Sequence, residues 1–291
     1  MTDPVNIFDR AAVRLHRDRA APGMGQHDFL LREIGQRLTD RLQGIKRRFP
    51  CALDLGCHRG ELGKMLAHRG DIECIVNCDP SSGMVALAPG PRLVADEDSL
   101  PFQNNCFDLV VSLLSLHWVN DLPGALIEVA RCLKPDGLFL AAMFGGETLI
   151  ELRRSLIEAE LKTGIQTYPR VSPFGEVRDL GGLLQRADLK MPVVDIDQIM
   201  VSYPNVLTLM EELRGMGESN AVQDRSRHFT ARSTLKAAAE FYPQTISKPD
   251  GRINARFQIV YLTAWKAHAA QPRPLSPGSA NTRLVDALDT H

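Results

Sequence analysis

At 291 residues the chain is long enough to bury a sizeable core in one decorated domain. Its 34 Lys plus Arg against 35 Asp plus Glu leave no global field to draw it onto nucleic acid or an anionic membrane surface. The longest apolar stretch, Leu109 to Val119, is broken by Ser112, Ser115 and His117 and is too short to form a transmembrane segment.

Residues 1–49 read as a helical cap, with Phe29, Leu30, Ile34, Leu38 and Leu42 recurring near the helical period. Near its start Arg10, Arg14, Arg17 and Arg19 alternate with Ala and Leu in the manner of a presequence, but Asp3, Asp9 and Asp18 are out of place in an acid-poor transit peptide. His16-Arg17-Asp18 is the only H-x-D triplet, and it reads as a solvated helix face rather than part of an iron site, so no metal ligands are assigned. Six cysteines, at 51, 57, 74, 78, 106 and 132, form no C-x-x-C pair and suit buried free thiols in a reducing compartment.

From residue 50 onward strands and helices alternate, the pattern of a parallel sheet covered on both faces. An apolar strand through Leu53 breaks at Asp54-Leu55-Gly56-Cys57-His58-Arg59-Gly60 into a glycine turn, and Glu61 to Ala67 continues with helical spacing. Glycine lets a backbone turn sharply and approach a ligand. A second strand, Ile72 to Asp79, ends in an acid about 20 residues beyond the turn, where a carboxylate accepts ribose hydroxyls. Asp54, just before the turn, suits a ligand with a cationic amine rather than a pyrophosphate, which points to S-adenosylmethionine. Asp96, after a third strand, is placed to accept from an adenine amine, and Phe107 to Ser112 forms the fourth strand.

Leu133 to Gly137 reads as a turn into a fifth strand, Leu138 to Met143. Helices are expected at Glu147 to Leu161 and Val177 to Ala187, then an alternating strand at Val193 to Val201 and a late strand at Ala255 to Trp265. Between these strands an insertion at about 204–250, helical at Val206 to Leu213 and Ser233 to Tyr242, is placed to roof the cleft, and Gly215-Met216-Gly217 reads as a helix-ending turn. The methyltransferase-fold domain is expected to span 50–268, followed by a mobile tail over 269–291 rich in proline.

Together the three motifs resemble the class I S-adenosylmethionine-dependent methyltransferase superfamily, with its D-x-G-x-G-x-G turn, its acid ending strand two and its D-A-x-x-L-P-F-like loop. The resemblance implies a Rossmann-like α/β fold, a mostly parallel sheet with an antiparallel last strand. It also implies cofactor contacts at Asp54, Gly56, Cys57, Gly60, Asp79, Asp96, Glu97 and Leu113. His58 departs from the pattern by standing at the usual middle glycine. Asn6 to Arg10, Leu114 to Pro123, Ala142 to Gly146 and Gly215 to Asn220 are similar to the family of the fifth assembly factor of mitochondrial respiratory complex I and its bacterial relatives. That similarity implies hydroxylation of an arginine on a complex I iron-sulfur subunit. A more distant resemblance, through Leu116-His117-Trp118, is to the malonyl-acyl-carrier-protein methyltransferase of biotin synthesis. Because the family similarity already begins at Asn6, bacterial cytoplasm is the expected location, ahead of the mitochondrial matrix.

Three roles stay open. The cleft hydroxylates a client, transfers a methyl group to a carboxylate, or holds a client without chemistry, the last favoured if His58 blocks the cofactor. His117 is a candidate general base or substrate ligand, with helix-start packing as the alternative. Glu147 is a candidate receptor for a guanidinium, with helix capping as the alternative. His58 itself reads by default as a solvated turn histidine. Glu218, Ser219 and Asn220 enter as substrate contacts on resemblance alone.

Overall fold

The computed structural model describes residues 6–67, 71–164, 166–175, 177–245, 251–271 and 279. Seven strands form one sheet: β1 (Cys51–Leu55), β2 (Cys74–Asp79), β3 (Arg92–Val94), β4 (Phe107–Leu113), β5 (Leu133–Phe144), β6 (Leu189–Tyr203) and β7 (Ile253–Lys266). Their order is β3-β2-β1-β4-β5-β7-β6. Strands β1 to β5 pair in parallel, whereas β7 runs antiparallel to both β5 and β6. This is a class I Rossmann-like sheet. The order reverses between β1 and β4, and at such a switch point a crevice opens beyond the carboxyl ends of the strands.

The helices follow from local sequence and from what they cover. Helix α1 (Arg10–Ala20) is capped by Asp9, whose carboxylate accepts from the Ala12 N–H. Helix α2 (Phe29–Asp40) buries Leu30, Leu31, Ile34 and Leu38 in the core on one side of the sheet, each side chain contributing about 2 kcal/mol by burial. Short helices α3 (Glu61–Leu66) and α4 (Ser82–Leu87) follow β1 and β2, and α5 (Leu122–Cys132) connects β4 to β5. Beyond β5 come α6 (Ile150–Thr163) and α7 (Val177–Arg186), and between β6 and β7 lie α8 (Val206–Gly215) and α9 (Arg232–Thr245). Met216 and Gly217, the latter at φ 81°, end α8.

Two elements differ from the sequence expectation. The turn at Leu133 to Gly137 is absorbed into β5, where Asp136 adopts φ 62° and the pairing with β4 slips between Phe107 and Leu109. The strand carries the kink as a bulge because Leu133 already pairs with Phe107. Helix α6 starts at Ile150 rather than Glu147, since the Thr148 hydroxyl and the Leu149 N–H donate to carbonyls of β7. The tail expected to be mobile falls, beyond Gln271, outside the described residues except for position 279.

Candidate active site

The turn between β1 and α3 is built by backbone strain and close approach. Gly56 adopts φ 69°, and a Cβ there would lie 2.1 Å from the Ser115 side chain. Gly60 adopts φ 76° as the residue before α3, with Pro89 only 2.6 Å from where its Cβ would be. The N–H groups of Gly56 and Cys57 both donate to the Cys78 carbonyl, which pins the turn to β2. Asp54 is fully buried beneath it, with Oδ2 accepting from the Gly63 N–H at 3.1 Å and Oδ1 without a partner.

Asp79 ends β2, also fully buried, and its carboxylate accepts from the His58 N–H, the Ser81 N–H and the Arg17 guanidinium. Asp96 and Glu97 follow β3, and Leu113 ends β4. The expected cofactor residues thus gather at the carboxyl ends of β1, β2, β3 and β4. His58 is not solvated: its side chain folds over the turn, 2% exposed, with Nε2 at 3.1 Å from the Leu113 carbonyl. Burial, reinforced by the Arg17 charge, holds its pKa below the ordinary histidine value, so the ring is neutral near pH 7.

A cavity of about 390 Å³ opens beside the 3₁₀ turn Leu116–Trp118. Trp118, Phe144 and Phe174 form its aromatic wall, and Glu218 with Ser219 lies on its lining. Glu218 Oε2 accepts from Trp118 Nε1 at 3.0 Å and lies 3.1 Å from His117 Nε2. Burial pushes the Glu218 carboxyl up, but His117 and then Arg17 outweigh it and hold the carboxyl below its ordinary value. His117 is packed against Phe144 and Phe174 at ring separations of 4.8 and 5.6 Å and is not among the cavity's lining residues. Its contact is with Glu218. Asn220 is occupied with the Pro169 carbonyl and the Val222 N–H.

Glu147 lies elsewhere. Its carboxylate accepts from Arg256 on β7 and Gln198 on β6, and it is absent from the cavity lining, so it is neither a guanidinium receptor there nor a helix cap. The reason is long-range: β7 brings Arg256 alongside Leu149. The residues that sequence reasoning missed are Arg10, Arg17 and Ser115. Arg17 is 1% exposed, which overturns the solvated reading of His16-Arg17-Asp18, and Asp18 accepts from the Ser81 hydroxyl and the Gly83 N–H. The detectable signal was spacing, because Arg10, Arg14 and Arg17 recur at i, i+4 and i+7 and share one helix face.

The donor set fits an adenosyl amino acid. Asp79 could hold ribose hydroxyls, Asp96 an adenine amine, and the unpartnered Asp54 Oδ1 an ammonium. Burial pushes the Asp54 carboxyl up to about 7, its hydrogen bond from Gly63 pulling the other way. A carboxyl raised from 3.8 holds its proton when folded, so its contribution to stability is complete below pH 3.8 and is lost as pH rises through about 7. An ammonium beside Oδ1 favours the ionised form, so cofactor binding below pH 7 expels a proton. Affinity for S-adenosylmethionine is therefore expected to rise with pH, by up to about tenfold per unit, until about pH 7. Calorimetry in buffers of different ionisation heat should detect the released proton, and Asp54→Asn should lose both effects.

Residues 53–141 match the family model described as a methyltransferase domain. Over 289 residues the chain is 43% identical to "Arginine-hydroxylase NDUFAF5, mitochondrial" of Danio rerio, covering 97% of this chain and 89% of that protein. Its identity to the Homo sapiens protein of the same name is 45%, over 95% of this chain and 81% of that protein. A "Malonyl-[acyl-carrier protein] O-methyltransferase" of Methylovorus sp. (strain MP688) is 31% identical, covering 95% of this chain and 96% of that protein. Among solved structures, a putative methyltransferase from Bacillus halodurans C-125 superposes with a TM-score of 0.57 at 14% identity, covering 80% of this chain and 99% of that one. Phosphoethanolamine N-methyltransferase 2 of Haemonchus contortus, in complex with S-adenosyl-L-methionine, superposes at 0.50 and 16% identity, over 81% of this chain and 53% of that one.

The relatives' mitochondrial names overturn the expectation of bacterial cytoplasm, which had rested on the family similarity beginning at Asn6 and on acids near the start of the chain. The cofactor is S-adenosylmethionine. Full-length similarity at this level, on this sheet and this turn, places the chain in the NDUFAF5 arginine-hydroxylase family, within the S-adenosylmethionine-dependent methyltransferase superfamily of enzymes.

Proposed function

We propose that this enzyme hydroxylates an arginine side chain of a protein client, an iron-sulfur subunit of respiratory complex I during its assembly. The observation that carries the reading is Glu218, a carboxylate fixed by His117 and Trp118 on the lining of an aromatic cavity beside the cofactor crevice. A guanidinium is planar and cationic, and it binds both to carboxylates and to aromatic faces. Trp118, Phe144 and Glu218 offer both surfaces. No α-helix among the described residues is long and apolar enough to cross a membrane.

When bound, S-adenosylmethionine supplies a sulfonium centre with an electrophilic methyl group. The chain's own part is to orient it through Asp79 and Asp96, to keep His58 neutral beside the turn, and to hold the Glu218 carboxylate ionised. A second reading, methyl transfer to a carboxylate, draws on the malonyl-acyl-carrier-protein relatives and on Arg170, Arg214 and Arg225 along the cavity lining. Arg170 and Arg225 already pair with Glu160 and Asp9, which weakens it.

Mass spectrometry of a client arginine peptide, incubated with enzyme, S-adenosylmethionine, dioxygen and a two-electron reductant, so that one oxygen atom enters the arginine and the other leaves as water, separates the readings. Gain of one oxygen on arginine supports hydroxylation, whereas gain of one methylene on a carboxylate, with S-adenosylhomocysteine formed, replaces it by methyl transfer. Client binding with neither product leaves the protein a holder of its client.

A further inference from the structure

The acids that serve the cofactor are already engaged by one helix. Arg17 Nη1 donates to Asp79 at 3.0 Å and its Nη2 to the Ser115 hydroxyl at 2.9 Å, with Glu97 3.7 Å away. Arg10 pairs with both Asp96 and Glu97, and Arg14 with Asp96. The Ser115 hydroxyl in turn donates to Glu97 and lies against Gly56. The turn's near wall and the end of β4 are therefore in contact where a ligand would have to pass.

We propose that α1 is a plug that competes with the cofactor, its arginines standing in for the ligand on Asp79, Asp96 and Glu97 and giving way when S-adenosylmethionine binds. The inference rests on the cofactor assignment. The cofactor carries a sulfonium, an ammonium and a carboxylate, one net positive charge, so it can take the place of one guanidinium, that of Arg17, against the buried acids. The closed arrangement is also incompletely satisfied, because the Nε–H groups of Arg10 and Arg17 are buried without acceptors.

Space exists for the helix to shift. A cavity of about 460 Å³ lies beside α1, between His16, Arg19 and Ala20 on one side and Arg214 and Gly215 on the other. The segment before α1 is anchored to the other cavity: Phe8 packs edge-on against Trp118 at 5.3 Å, and Asp9 pairs with Arg225. Release of α1 thus pulls on the wall of the aromatic cavity, so the plug couples cofactor binding to the client site.

The test pairs hydrogen exchange of the intact protein with titration of S-adenosylmethionine into the parent and Arg17→Ala. If α1 is a plug, cofactor speeds amide exchange across residues 10–20, and Arg17→Ala binds on the order of tenfold tighter, since the competent state no longer competes with the closed one. Should Arg17→Ala fail to fold, Arg14→Gln, altering a half-exposed side chain, is expected to tighten binding in the same direction by a smaller factor. Slower exchange in α1 on cofactor addition, or weaker or unchanged binding by the variants, overturns the plug and makes Arg17 a cofactor ligand or a structural ion pair. Absence of binding by parent and variants alike overturns the cofactor assignment and the plug together.

Discussion

Asp79→Ala is expected to abolish saturable binding of S-adenosylmethionine and to lower the melting temperature by on the order of 10 °C. Asp79 accepts from two backbone N–H groups and from Arg17, all buried. Removing one member of a buried ion pair strands the other, at roughly 3–5 kcal/mol, and each kcal/mol moves the transition by about 2–4 °C in a chain approaching this size. On the ligand side, two hydrogen bonds from ribose hydroxyls to a carboxylate are lost, which weakens affinity by about 100-fold or more. Scanning calorimetry and isothermal titration read the two effects separately. The double variant Asp79→Ala, Arg17→Ala removes the stranded cation and should regain much of the stability without regaining affinity, a non-additivity that distinguishes a charge pair from general misfolding. Binding by Asp79→Ala close to that of the parent would remove Asp79 from the cofactor site.

Glu218→Ala is the second large effect. Trp118 Nε1 and His117 Nε2 would lose their shared acceptor in a buried setting, at about 1–3 kcal/mol for each unsatisfied group. Because the folded carboxyl lies below its ordinary 4.5, its contribution to stability is present above that pH and is lost as pH falls through the depressed value. Glu218→Gln keeps an oxygen acceptor and should recover most of the melting temperature. It discards the negative charge, so affinity for an arginine client peptide should stay about tenfold or more below the parent. Equal client affinity in the parent and Glu218→Gln would show that the carboxylate supports the cavity wall and does not receive the guanidinium.

How far the sequence disclosed these sites depends on how local their chemistry is. The turn Asp54 to Gly60 and the acid at Asp79 were legible because backbone geometry and strand ends constrain residue type within a few positions. The antiparallel last strand was legible through its family, and the pairing of β7 between β5 and β6 then fixed what sequence could not: Arg256 draws Glu147 away from the cavity. Glu218 carries no local signature. Its partners His117 and Trp118 lie about a hundred positions away, and only the packing of the α8 end against the β4 end brings them together. The arginines of α1 were visible as a stripe, yet the acids that engage it come from two distant segments, the end of β2 and the loop after β3.

One short segment joins the two cavities. Within Leu113–Trp118 the Leu113 carbonyl meets His58, Ser115 meets Arg17 and Glu97, and His117 and Trp118 both meet Glu218. In evolutionary terms this makes the segment a site of strong epistasis. A replacement that reshapes the client wall also disturbs the cofactor floor, so altered client preference is reached more readily through other lining residues, such as Met210 and Leu235, than through these six residues.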